Sequence, residues 1–184
     1  GQKEIYYITG EKREIVEKSP HLEVFREKGI EVLYLVDPID EFIVPNIGTF
    51  EGKQLKSVVK GDLDLGELSG EEKKQREKTE STFKKLCERI KNILTDDIKE
   101  VRTSFRLKDS PCCLVSDEQG MGAHMEKIMR AMGQSVPAEK RTLEINPEHP
   151  VIANLNSLYE KDPKDEKLEQ WVRLLLDQAF IAEG

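Results

Sequence analysis

All four methionines of this chain lie between positions 121 and 132, in the stretch GMGAHMEKIMRAMG that runs from Gly120 to Gly133. On a helix turning about 100° per residue, Met121, Met125, Ile128, Met129 and Met132 share an arc of about 100°. The chemistry of such a face is apolar contact. Unbranched, polarizable thioethers fill irregular gaps in a core, and they also grip partners of differing shape. On the residues alone both readings stand. Gly120, Gly122 and Gly133 frame the stretch and lower its intrinsic helix stability.

Residues that could make or break bonds are few and scattered. His21, His124 and His149 are far apart, and none has a cysteine or carboxylate cluster at metal-ligand spacing, so each is expected to be a surface or packing histidine. No GxxxxGK or GxGxxG is present to cradle phosphate. Cys112 and Cys113 are adjacent. In a strand their thiols point to opposite faces, so one should be buried and the other less so, and a disulfide between neighbours would be strained. Three cysteines without a CxxC pair suit a reducing, cytoplasmic setting. No nucleophile with a base and no metal site is expected in these residues, and the chain itself is read as not an enzyme.

The elements that hold these residues follow from periodicity. EIYYIT, from residue 4, is a compact run of β-formers. Thr9 is placed to cap a short helix, and Ser19-Pro20 offers an N-cap and an N1 proline to HLEVFREK, which Gly29 stops. IEVLYLV, from residue 30, is a continuous apolar run, the pattern of a strand covered on both faces. Asp37-Pro38 opens a helix that Pro45 ends, and LKSVVK supplies a last strand. The polar stretch around residues 60–80 marks a boundary, placed after residue 68. Ser69 with Glu72 makes a capping box. The helix that follows is polar at first, then amphipathic at Phe83, Leu86, Cys87, Ile90, Ile93 and Leu94. Val101, Thr103, Phe105 and Leu107 alternate as in a half-buried strand, CCLVS and RTLEI are further strands, and Val151, Ile152, Leu155, Leu158 and Tyr159 form the inward face of a helix. The expected class is α+β: a small α/β unit over 1–68, then an α+β domain over 69–184 with a short three-stranded sheet and amphipathic helices.

In the last helix Leu168, Trp171, Val172, Leu174, Leu175, Leu176, Ala179, Phe180 and Ile181 spread over an arc of about 260°. One packing face needs less than that. Burial within the chain and burial against a partner both remain open. With 29 Lys and Arg against 36 Asp and Glu, a net charge of −7 argues against a general nucleic-acid or anionic-membrane binder. No apolar run has the length of a membrane-spanning helix. The abrupt, strand-like start reads as the middle of a longer protein.

IYYITGE, SPHLEVFREKGIEVLYLVDPIDEF, DSPCCLVSDEQGMGAHMEKIMRAMGQ and WVRLLLDQAF together resemble the heat-shock protein 90 chaperone family in its bacterial form, in order over nearly the whole chain. The resemblance implies that residues 1–68 end a middle domain and 69–184 form most of a C-terminal dimerisation domain. It implies an ATP-driven, homodimeric clamp that remodels unfolded or partly folded client proteins. ATP and magnesium would bind in an N-terminal domain outside this sequence, so no cofactor is expected here. It further implies a client-contact role for Met121, Met125, Ile128, Met129 and Met132, with Phe42 and Glu41 lining the same cleft. Leu168, Trp171, Val172, Leu175, Leu176, Ala179 and Phe180 are expected at the dimer interface. Family chains continue into one more helix, so a weakened dimer is expected, with Trp171 buried within the chain. The competing expectation is a purely structural dimerisation module whose methionine stripe is core.

Overall fold

Ile5–Thr9 (β1) becomes the middle of a sheet, pairing in parallel with Val32–Leu35 (β2) on one side and Lys53–Ser57 (β4) on the other. Thr49–Phe50 (β3) adds antiparallel to β4, giving the order β2-β1-β4-β3. The computed structural model describes residues 2–63, 65, 69–137 and 139–183. Between β1 and β2 run Arg13–Val16 (α1), a 3₁₀ turn at Pro20–Leu22 and Glu23–Glu27 (α2); Asp40–Ile47 (α3) lies between β2 and β3. The Ser19 hydroxyl accepts from the His21 N–H, as its place before Pro20 suggests. Tyr6, Ile8, Val16, Leu22, Val24, Phe25 and Val58 form this unit's core, with the Tyr6 ring edge-on to Phe25 at 4.9 Å.

Three local expectations are corrected here. Lys12, not Thr9, precedes α1, and it gives no side-chain cap. The strand β2 is an edge, covered on one face only, and Leu33 is 50% exposed. The helix α3 runs through Pro45 to Ile47, and Gly48 ends it at φ +62°. So late in a short helix, proline forfeits only the bond to the Glu41 carbonyl.

The second sheet is Ile98–Thr103 (β5), Cys112–Val115 (β6) and Arg141–Ile145 (β7), ordered β5-β7-β6, with β5 parallel and β6 antiparallel to β7. Gly70–Ile93 (α4) begins at the full Ser69–Glu72 capping box. Ala123–Ala131 (α5) lies between β6 and β7, and Pro150–Lys161 (α6) and Glu166–Ala182 (α7) follow. Leu86, Ile90 and Leu94 from the α4 end meet Leu114, Leu143, Ile145, Ile152, Leu168, Val172 and Leu175 in one core. Helices and two small mixed sheets make the α+β class. The boundary expected after residue 68 falls on residues 66–68, outside those described.

The strand β5 stops at Thr103 because the Ser104 hydroxyl accepts from the N–H groups of Arg106 and Leu107, turning the backbone, so Phe105 and Leu107 are not strand residues. Both Cys112 and Cys113 are buried, because β6 is covered on both faces. Cys112 joins the α7 side of the core, while Cys113 and Val115 cluster with Leu107. Val151 points outward, not inward.

One buried polar joint ties the two sheets together. Arg106 Nε donates to Glu144 Oε2 at 2.9 Å, while its Nη1 and Nη2 donate to the carbonyls of Val58 and Gly61, each at 2.8 Å. Ser104 and Arg102 also donate to Glu144, each at 2.8 Å. From the other direction, the Glu23 carboxylate accepts from the N–H groups of Lys108, Asp109 and Ser110. A buried charge left without its partner is costly, on the order of 3–5 kcal/mol. Arg106→Met is therefore expected to lower the urea midpoint by an amount equivalent to about 3 kcal/mol or more. Arg173→Met, which breaks the exposed Arg173–Glu169 pair, should change it by less than about 0.5 kcal/mol.

Candidate functional site

The methionine stretch folds as expected into a helix, α5, but its most buried side chain is not a methionine. It is Glu126. Its Oε2 accepts from Arg141 Nη2 at 2.8 Å, so α5 is anchored to β7 through its charged side. Met121, Met125, Ile128 and Met129 are half-buried and Met132 is 64% exposed. None of them belongs to any of the three core clusters.

The flanking glycines have separate reasons. A Cβ on Gly120 would lie 2.6 Å from the Glu139 carboxylate, whose other oxygen accepts from the Met121 N–H at 2.9 Å. At the far end the N–H groups of Gly133 and Gln134 reach the carbonyls of Arg130 and Met129, and Gly133 has φ +79°. This is a Schellman closure, which favours glycine at that position.

Phe42 and Glu41 sit on α3, in the other sheet's unit. The structure brings α3 to the methionine helix at a polar contact: His124 Nδ1 lies 3.0 Å from Glu41 Oε1, with both side chains largely buried. A carboxylate only accepts, so the imidazole N–H donates. Phe42, next to Glu41, is half-buried. Tyr7, on β1, has its phenol pushed up by burial, then by the Glu41 charge, against a Ser57 hydrogen bond. His124 thus joins the candidate site, which spacing could not reveal. The signal available was its place on the helix, beside the methionine arc.

The other two histidines are structural. Burial, then Arg106, lowers His21 to about 3, and His149 Nδ1 accepts from Val151 N–H to cap α6. Burial pushes the thiols of Cys87 and Cys112 up to about 12, so both are thiols at neutral pH. Among the described residues no group of His, Cys, Asp or Glu is arranged to hold a metal, and no helix is long and apolar enough to cross a membrane.

Of the seven residues expected at a dimer interface, Leu168, Val172, Leu175, Leu176 and Ala179 are buried in this chain's own core. The expectation that Trp171 is buried is corrected: it is 52% exposed, and Leu174, Phe180 and Ile181 are exposed with it. Trp171, Leu174 and Ile181 fall within an arc of about 80°. That arc faces away from the core because the opposite side of α7 already packs on α4, α6 and β6.

Near the end of α7, Glu183 Oε2 accepts from Arg141 Nη1 at 2.8 Å, so one guanidinium serves two carboxylates, those of Glu126 and Glu183. Burial is the main cause that raises Glu183 to about 7. The Glu126 charge adds to it, and Arg141 and Lys127 oppose it.

A family model described as "Hsp90 protein" matches residues 1–184. The chain is 48% identical to a protein named "Chaperone protein HtpG" from Geobacter sulfurreducens, covering all of this chain and 29% of that relative. Proteins of the same name from Aromatoleum aromaticum and Nitrosococcus oceani are also 48% identical, again across the whole chain and 28% of each relative. The chain therefore spans less than a third of the length of the curated relatives it matches.

The pH dependence of stability carries two opposed contributions. Glu183, raised from 4.5 to about 7, binds its proton more tightly when folded, so its contribution is lost as pH rises through that window. His21, lowered from 6.5 to about 3, costs stability as pH falls through its own window. Between about 4.5 and 6.5 the two offset each other. Glu183→Gln should therefore steepen the loss of stability on acidification, and His21→Gln should tilt the profile the other way. Chemical melts at several pH values check both slopes, each up to about 1.4 kcal/mol per pH unit.

Proposed function

Since this chain belongs to the Hsp90 family, we propose that it is the part of a chaperone that touches client proteins and joins two protomers. Residues 1–68 are the end of a middle domain and 69–184 most of a C-terminal domain, in a cytoplasmic protein. ATP and magnesium serve the whole protein from a domain outside these residues. Calorimetry with Mg-ATP on this chain should give no saturable heat.

One observation carries the client-contact reading. The methionine face lies outside every core cluster, yet its helix is tied to β7 by Glu126–Arg141 and to α3, next to Phe42 in sequence, by His124–Glu41. Flexible thioethers on a firmly seated helix offer apolar contact without demanding one partner shape. Clients are then unfolded or partly folded polypeptides, with no nucleic acid and no membrane required. The competing reading, in which the stripe is core, predicts a large stability cost for polar substitution, on the order of several kcal/mol.

Self-association is assigned to the open side of α7, where Trp171, Leu174 and Ile181 are exposed. Large apolar side chains gathered on one side of a helix suit a symmetric contact with a second copy.

Two measurements test these assignments. Met121→Gln/Met125→Gln should weaken binding of a partly unfolded protein about tenfold, while thermal stability changes by less than about 1 kcal/mol. A large fall in melting temperature with affinity unchanged would return the stripe to the core. In sedimentation, Leu174→Glu/Ile181→Glu should weaken self-association at least about tenfold without loss of fold. An unchanged association constant would place the contact elsewhere.

A further inference from the structure

The helix α3 buries Val44, half-buries Phe42 and turns Ile43 and Ile47 to solvent. Ile39, just before its first turn, is 52% exposed, Ile43 43% and Ile47 48%. They recur every four residues and therefore line one side. Phe50, 59% exposed on β3, lies just beyond them in sequence. The three isoleucines alone offer on the order of 300 Å² of open apolar surface, within the size range of functional patches on monomers. It is less than half of the roughly 800 Å² per partner that a stable protein interface buries. A second copy of the chain is thus a poor occupant, and a short extended segment is a good one.

The charges around the strip say what kind of segment. From Gly29 to Gly52 the chain carries five acids, Glu31, Asp37, Asp40, Glu41 and Glu51, and no lysine, arginine or histidine. Asp37 and Asp40 are fixed at the Ile39 end, where the carboxylate of Asp40 accepts from the Asp37 N–H and that of Asp37 from the Ile39 N–H. The first cation beyond the strip is Lys53, opposite Phe50 on β4. Glu41 is taken up by His124, so the open charges beside the strip are the carboxylates of Asp37 and Asp40, which repel acidic segments and favour basic ones.

We infer that the Ile39–Ile43–Ile47 side of α3 is a docking strip for extended polypeptide segments that carry lysine or arginine beside apolar residues. The inference rests on the client-contact reading and adds a charge preference to it. On this account the methionine face supplies adaptable apolar contact, and α3 selects by charge.

Two unstructured, dye-labelled peptides with identical leucine and phenylalanine positions test it, one with lysine and the other with glutamate at the remaining positions. Anisotropy titrations on this chain should show the lysine peptide binding about tenfold more tightly at low salt, with the gap narrowing as salt is added. Ile39→Gln/Ile43→Gln/Ile47→Gln should cost the lysine peptide about tenfold, because exposed residues are changed and the fold is kept. If that variant is poorly folded, Asp37→Asn/Asp40→Asn serves instead and should narrow the gap between the peptides. Met125→Gln/Met129→Gln should weaken both peptides and leave their ratio intact. Equal affinity for the two peptides, or a triple isoleucine variant that binds like the parent while the methionine variant does not, overturns the strip and leaves the client-contact reading standing. Loss of self-association in the isoleucine variant with peptide binding unchanged assigns the strip to a second copy and also overturns it. Binding of neither peptide by the unmodified chain removes both readings.

Discussion

The buried carboxylate of Glu144 is the constraint on which the rest of the arrangement depends. It accepts from Ser104, Arg102 and Arg106, and Arg106 then reaches across to the carbonyls of Val58 and Gly61 beside the first sheet. A charge so far from water must keep its partners, which fixes the two cores relative to each other. The isolated backbone bridge between Lys60 and Ser116, and the Glu23 carboxylate that accepts from the N–H groups of residues 108–110, continue the same joint. Because that joint already sets the two sheets against each other, the small contact between Glu41 and His124 can hold α3 and α5 together although each belongs to a different sheet's unit.

The helix α5 shows how a contact surface can be both placed and left open. An ordinary amphipathic helix sits on its apolar face. Here the seat is Glu126 on Arg141, a guanidinium shared with Glu183 from the end of α7, and the methionines are left at the boundary of protein and solvent. The geometry also joins the two proposed contacts of the chain. The strand β7 carries Arg141, and through it the methionine helix and the self-association helix lean on the same side chain.

Much of the fold could be read in the residues. The capping box at Ser69 and Glu72, the Ser19 cap before Pro20, the amphipathic half of α4 and the three short strands of the second sheet all follow from local rules. What could not be read depended on contacts between distant segments. The edge position of β2 is invisible in IEVLYLV, since an apolar run looks the same in the middle of a sheet or at its rim. Pro45 marks a helix end by rule, but its place in the last turn made it tolerable. Of the candidate site, the methionine arc was legible because it is local. His124, Glu126 and Arg141 were not, because their roles come from Glu41 and Glu183, distant in sequence. In Arg-Thr-Leu-Glu-Ile the one hint was a carboxylate inside an otherwise strand-like run. Trp171 was misplaced because an arc of apolar residues does not say which part of it the chain itself covers.

All four methionines lie on or beside α5, so methyl labelling of methionine reports on the proposed contact surface and nowhere else. The most direct measurement is a set of methionine methyl NMR spectra of this chain, titrated with an unfolded polypeptide. The account predicts that the signals of Met121, Met125, Met129 and Met132 move together along one saturation curve, while the Trp171 indole signal stays in place. Methionine signals that remain fixed while the polypeptide binds, with Trp171 moving instead, would contradict it.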